Sequence, residues 1–179
     1  GHDFYAAQTT ESPEGERVMV AWMHTWGRKL VTNDFGHKWY GQMTLPRILK
    51  KNENGLHQVL PTSVLEAFKD IEIGQSIKGP SKFSLKLEDS LELRLGSDQD
   101  YLQFGYDKES QEVYIDRGHL DIQQTGEEEW STIRRSVTVE AEELLIMIDT
   151  NCLEIFVNNG QEVLTSTYYV EGQRTLNTL

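Results

Sequence analysis

The sequence predicts an all-β protein whose larger, C-terminal part is a β-sandwich. Three observations carry that reading. Apolar and polar residues alternate with period two almost throughout, the repeat of a strand with one face buried. The apolar stretches are short, evenly spaced and bounded by turn residues, with Asn159-Gly160 the strongest hairpin signal. Hardly any stretch shows the 3.6-residue period of a helix. Many short strands of this kind imply two packed sheets.

In chain order, RVMVAWM (Arg17 to Met23) is a continuous apolar run between ESPEGE and Gly27, so it is expected to be a strand buried on both faces. WYGQMTLPRIL follows as a second strand, with Pro46 placing it at an edge or ending it. KNENG is the expected linker and divides the chain at residues 53 and 54. LHQVLPTSVLEAF (Leu56 to Phe68) reads as strand or helix, because Pro61 breaks a helix whereas Pro61-Thr62-Ser63 can start one. KFSLKLEDSLELRLG sets Phe83, Leu85, Leu87, then Leu91, Leu93 and Leu95 on alternate positions, a hairpin with one dry face. YLQFGYD and QEVYIDRG form the next hairpin across Asp107 to Ser110, and TIRRSVTV, ELLIMID, CLEIFVNNG and EVLTSTYY continue the meander. The expected core is Phe83, Leu85, Leu93, Leu102, Tyr114, Ile146, Ile148, Ile155, Tyr168 and one of Phe156 and Val157, since adjacent strand positions face opposite ways.

The 179 residues can hold one good-sized core, or a domain plus a fragment of another. A formal net charge of −12 argues against nucleic acid or an anionic membrane as partner, because both need clustered Lys and Arg. No apolar run approaches the ~20 residues of a membrane-spanning helix. Cys152 stands alone, so an intramolecular disulfide is excluded and a reduced compartment, the cytoplasm, fits. No signal segment precedes Gly1, although a fragment would have lost one, which leaves secretion of a longer parent open.

Aromatic residues gather near the N-terminus: Phe4, Tyr5, Trp22, Trp26, Phe35, Trp39 and Tyr40. Ring faces beside carboxylates and amides suit a sugar, whose C–H face stacks on a ring while its hydroxyls bond to the polar groups. The same rings serve equally well as core. A glycosidase needs two carboxyl groups about 5–5.5 Å apart for retention or about 6.5–9.5 Å for inversion. Glu112 and Asp116 share one face of EVYIDRG with Tyr114, and Asp149 and Glu154 flank the turn in MIDTNCLEIF. The plainer reading of such carboxylates is a solvated face with Arg117 as neighbour, and Glu127-Glu128-Glu129 reads as a solvated loop. The five histidines lack metal-binding spacing, and neither a metal nor another cofactor is expected. Cys152 reads as a small buried hydrophobe rather than a nucleophile.

GHDFYAAQT, RVMVAWMHTW and WYGQMTLPRIL resemble, in that order, the final propeller blade of glycoside hydrolase family 32, which includes invertase, levanase and sucrose-6-phosphate hydrolase. YIDRG, the IRR stretch and LEIFVNNGQEVLTSTYY resemble the C-terminal β-sandwich of the same family, so the resemblance covers nearly the whole chain. It implies a fragment of a five-bladed β-propeller over 1–53 and a lectin-like (concanavalin-like) β-sandwich over 54–179. It also implies hydrolysis of terminal β-fructosyl bonds in sucrose, sucrose 6-phosphate or fructans, with retention. The family uses an aspartate nucleophile, a glutamate acid/base and a stabilising aspartate, in motifs resembling WxNDPNG, RDP and EC. None of these occurs here, so no catalytic residue is expected in this chain and no hydrolysis by it alone.

In DFYA and AWM the family places residues that wall the fructose pocket. Carried over, these are Asp3, Tyr5 and Trp22, with Trp26 beside them. The implied partners are a fructose-containing sugar in the complete protein, and the missing blades or a second copy of the chain to cover Val18, Val20, Trp22 and Trp39. The segment before about Asn52 is expected to fold back on the sandwich or to pair with a second copy through RVMVAWM, since a lone two-stranded piece is marginal in water. Two other readings compete: a stand-alone, non-catalytic carbohydrate-binding sandwich, and a small glycosidase using Glu112 and Asp116. Against the latter, the ExDxxE spacing of lectin-like hydrolases is absent.

Overall fold

The computed structural model describes residues 1–53, 55–128 and 131–179. It contains three sheets. The first is an antiparallel meander of β1 (Tyr5–Glu11), β2 (Arg17–Trp22), β3 (Arg47–Asn52) and β4 (Gly55–Val59), paired in chain order. A long loop with one 3₁₀ turn at Val31–Asn33 joins β2 to β3. Here three expectations shift. The second strand starts at Arg47, after Pro46 rather than through it; a residue without an N–H suits the entry to a strand better than its middle. Lys51 and Asn52 of KNENG end β3 and Gly55 begins β4, so the first sheet runs past the expected division at 53 and 54; Asn54 itself lies outside the described residues. RVMVAWM does form β2, but only Ala21 and the following Met23 are buried, and neighbouring β1 is exposed along its whole length.

After β4 the chain makes its one α-helix among the described residues, α1 (Thr62–Ala67), with Pro61 at its N-cap. A proline is tolerated there because the first N–H groups of a helix have no internal partner. The rest is a two-sheet sandwich. One sheet has six strands in the order β11 (Arg134–Thr138), β10 (Glu112–Asp116), β9 (Tyr101–Asp107), β8 (Leu91–Gly96), β15 (Arg174–Thr178) and β6 (Ser76–Ile77). The other has five: β14 (Glu162–Thr167), β13 (Cys152–Val157), β12 (Glu143–Ile148), β7 (Ser81–Lys86) and β5 (Lys69–Asp70). The inward residues of both sheets, among them Phe83, Leu93, Leu102, Ile146, Ile148, Ile155 and Tyr168, form a single buried cluster, with Leu85 half-buried against it. Asn158, Asn159 and Gly160 all take positive φ in the turn joining β13 to β14, the backbone that the Asn-Gly pair favours.

Two details correct the expectations. β7 and β8 are not a hairpin: β7 pairs with β12 and β5, whereas β8 pairs with β9 and β15 in the opposite sheet. Alternation reports which face is dry, and both strands have a dry face because both line the same core. Tyr114 is buried but on the outer face of its sheet, under Arg134, whose guanidinium carbon lies 3.7 Å from the ring centroid. Val157 points into the core, and Phe156 points out into a second cluster with Leu60, Phe68 and Met147. α1 and Leu45 pack on that cluster, so every residue of β13 is buried. No helix among the described residues is long and apolar enough to cross a membrane.

Candidate functional site

Tyr5 begins β1 and faces Trp22 across the strand pair, and the irregularity between Tyr5 and Gln8, with Ala6 at φ 50°, turns the start of β1. The rings of Tyr5 and Trp22 lie 6.3 Å apart between centroids, and Trp26 meets Trp22 edge-on at 5.3 Å. The indole N–H of Trp22 donates to the Tyr40 carbonyl at 3.1 Å. Gly41 permits this approach, because a Cβ there would fall 2.5 Å from Trp22 Nε1 and its φ is +68°. Trp26 is 81% exposed and presents its ring to solvent. Three of the four predicted pocket residues therefore form one aromatic platform at the end of the first sheet, suited to stacking on the C–H face of a sugar.

Asp3 is linked to this platform through Arg28, which reaches His24, whose ring meets Trp22 at 5.3 Å. Asp3 itself is buried at the junction between the N-terminal segment and β14, where its carboxylate is fully engaged. Oδ1 accepts from the Arg28 guanidinium, and Oδ2 accepts from the Thr167 N–H at 2.6 Å and the Thr167 hydroxyl at 2.9 Å, with Arg117 Nη1 at 3.5 Å. The Asp3 carbonyl accepts from the Thr165 hydroxyl at 2.6 Å. Burial, relieved by Asp3, brings the Arg117 pKa down to about 10. Sequence reasoning missed Arg28, Arg117 and Thr167; no local pattern marks partners that lie so far along the chain from Asp3.

His2 sits beside this cluster, with Nε2 2.9 Å from the Ile133 carbonyl and Nδ1 3.1 Å from the Ser166 hydroxyl. Burial, and next the Arg117 charge, push its pKa down to about 2 from 6.5. Burial and Arg28 lower that of His24 as well. The folded state keeps His2 neutral while the unfolded chain protonates it, so the unfolded state binds more protons between about pH 2 and 6.5. Stability from this group is present above pH 6.5 and is lost as pH falls through that window. We expect the urea midpoint to drop between pH 7.5 and 5, and His2→Gln to make that drop smaller; a larger drop in the variant would contradict this.

Glu112 and Asp116 lie four positions apart on β10, roughly 13 Å at about 3.3 Å per residue, beyond either glycosidase separation. Glu112 accepts from Ser136 at 3.1 Å, and Asp116 accepts from the Gly118 N–H at 2.7 Å and faces Arg134 at 3.8 Å. The neighbour of that face is Arg134, whereas the expected neighbour, Arg117, turns inward to Asp3. Glu154 is buried, 2.6 Å from Arg47 Nη2 and accepting the Leu45 N–H at 2.7 Å, while Asp149 ends in the exposed turn. This Arg47–Glu154 pair and the Asp3 cluster hold the first sheet against the sandwich, the first of the two arrangements expected for that segment. Glu127 and Glu128 are exposed, and Glu129 lies outside the described residues. Cys152 is buried, and burial pushes its thiol pKa upward, which agrees with a packing role. Among the described residues no three His, Cys, Asp or Glu side chains cluster to hold a metal.

Residues 39–178 match the description "Glycosyl hydrolases family 32 C terminal", and residues 1–60 match "Glycosyl hydrolases family 32 N-terminal domain". A probable sucrose-6-phosphate hydrolase of Psychromonas ingrahamii is 30% identical over 98% of this chain and 33% of its own length. A sucrose-6-phosphate hydrolase of Bacillus subtilis is 31% identical over 94% of this chain and 37% of its own length. Among solved structures, the sucrose-6-phosphate hydrolase of Lactobacillus gasseri superposes with a TM-score of 0.75 at 18% identity, over 97% of this chain and 38% of that one. A Bombyx mori family 32 beta-fructofuranosidase mutant in complex with sucrose gives 0.74 at 19% identity, over 99% and 38%. The chain thus spans about a third of the length of the curated relatives it matches. With its first sheet corresponding to the end of a propeller domain and its two remaining sheets to the C-terminal sandwich, the chain belongs to glycosyl hydrolase family 32.

Proposed function

We propose that this chain is the C-terminal part of a β-fructofuranosidase that removes terminal β-fructosyl units from sucrose or sucrose 6-phosphate with retention. The observation that carries the reading is the Tyr5–Trp22–Trp26 platform at the end of a propeller-type sheet in a family 32 chain. In the complete protein these rings would wall the fructosyl pocket, Trp22 stacking on the sugar while its own indole N–H stays committed to Tyr40. Asp3 serves as a positioning residue, since its oxygens are already taken by Arg28, Arg117 and Thr167. The nucleophile and acid/base would come from the rest of the propeller, because Glu112 and Asp116 stand too far apart for bond cleavage and Glu154 is already taken by Arg47 and the Leu45 N–H.

The test incubates the 179-residue chain with sucrose and with sucrose 6-phosphate and measures released fructose. We expect none from this chain alone, and release with retention when a family 32 propeller segment is joined ahead of Gly1. Release by the chain alone that disappears in Glu112→Gln or Asp116→Asn would assign the chemistry to the sandwich and overturn the proposal.

A further inference from the structure

A cleft of about 530 Å³ opens between the β2–β3 loop and one end of the sandwich. Thr32, His37 and Trp39 line it from the loop, Asn151 from the turn between β12 and β13, and Tyr169 and Glu171 from the segment after β14. None of Tyr5, Trp22 and Trp26 borders it. Its size falls within the ~300–1,000 Å³ of small-molecule sites, and it lies where two structural units meet, a common place for such sites.

The chemistry of the walls narrows the occupant. Trp39 is 59% exposed, and His37 stacks behind it with ring centroids 4.4 Å apart at 27°, which holds the indole as a flat, accessible face. Thr32 is only 6% exposed, and its hydroxyl has no hydrogen-bond partner among the described residues. The hydroxyl oxygen itself is closed off from the cleft, so Thr32 contributes shape to the wall rather than a hydrogen bond. Asn151 adds an amide from the facing wall. No Lys or Arg lines the cleft among the described residues, and Glu171 sets a carboxylate at its edge. A ring face, an amide and an edge carboxylate fit a ligand that is apolar on one face and carries hydroxyls on its rim. Glu171 accepts hydroxyl hydrogen bonds and repels anions.

We propose that this cleft binds a neutral mono- or disaccharide, at a site separate from the Tyr5–Trp22–Trp26 platform. The proposal does not depend on any hydrolysis by the complete protein. The test is calorimetric titration of the 179-residue chain with sucrose, alongside sucrose 6-phosphate and tetramethylammonium. We expect saturable sucrose binding that weakens about tenfold or more in Trp39→Ala, the loss of one stacking face. We expect Asn151→Ala to weaken it several-fold and sucrose 6-phosphate to bind less tightly. Trp39 is largely exposed, so its variant should melt with the parent. Absence of saturable sucrose binding would overturn the proposal, as would binding that survives both cleft variants. Loss on Trp22→Phe alone would move the sugar to the platform, and tighter binding of tetramethylammonium or of the phosphorylated sugar would refute the assignment to a neutral ligand.

Discussion

Glu154→Ala is expected to destabilise the protein by about 3–5 kcal/mol, the cost of leaving one member of a buried ion pair without its partner. Glu154 and Arg47 are each about 1% exposed and meet at 2.6 Å. Burial pushes the Glu154 carboxyl upward in pKa while Arg47 pulls it back, so the pair is a balance between desolvation and attraction. Arg47 Nη1 also donates to Gln58 at 2.7 Å, but its Nε has no partner among the described residues; without Glu154 the guanidinium charge stays buried against Phe156 and Phe4. The same substitution removes the acceptor of the Leu45 N–H. Urea denaturation gives the size, and the double variant Glu154→Ala/Arg47→Met tells the cause, since removing both charges should recover part of the loss. A single-variant loss below about 1 kcal/mol would show that water reaches the pair.

Asp3→Ala is expected to cost a comparable ~3–5 kcal/mol, for a different reason. Here one carboxylate compensates two guanidinium groups, Arg28 and Arg117, which are both buried. Removing it leaves like charges facing each other in a poorly solvated space, and it strips the Thr167 N–H and hydroxyl of an acceptor. Asp3→Asn keeps the shape and one acceptor, so it should be milder while still leaving the two cations unbalanced. Equilibrium unfolding of both variants checks the order. If Asp3→Asn proves as stable as the parent, the charge of Asp3 contributes nothing and hydrogen bonding alone holds the junction. Because Tyr5 follows two residues later, the loss should also loosen the platform, seen as a red shift of tryptophan emission.

The sandwich was legible because its strands carry their own signature. Leu91, Leu93 and Leu95 alternate with polar residues, and their strand ends in one dry face, as the pattern says. The pairing was not legible: Phe83 and Leu93 lie ten positions apart and look like the arms of one hairpin, yet they meet across the core from opposite sheets. Nothing local separates those arrangements, since both bury the same face. The platform of Tyr5, Trp22 and Trp26 was visible through the resemblance and the density of aromatic residues. Asp3 was visible only through the resemblance of DFYA, and its partners were not, because only the folded chain brings Arg28, Arg117 and Thr167 to it. Glu154 held a clue that went unread, because a lone charge inside the otherwise apolar CLEIFV is costly unless a buried partner waits for it. Thr32 gave no sign at all, as an unpartnered hydroxyl is a property of packing.

The complete burial of β13 has a consequence for misfolding. A strand with one wet face protects itself from mispairing, because sliding by a single residue drives its polar side into the core. β13 has apolar neighbours on both sides of the sheet, so a slip would exchange one hydrophobic side chain for another at little cost. Glu154 supplies the missing discrimination. Displaced by one position, it would enter the cluster around Ile155 and Leu153, while Arg47 would face an aliphatic side chain and stay uncompensated. The charge thus acts as a proofreading device, penalising alternative pairings that the hydrophobic residues of this strand would tolerate.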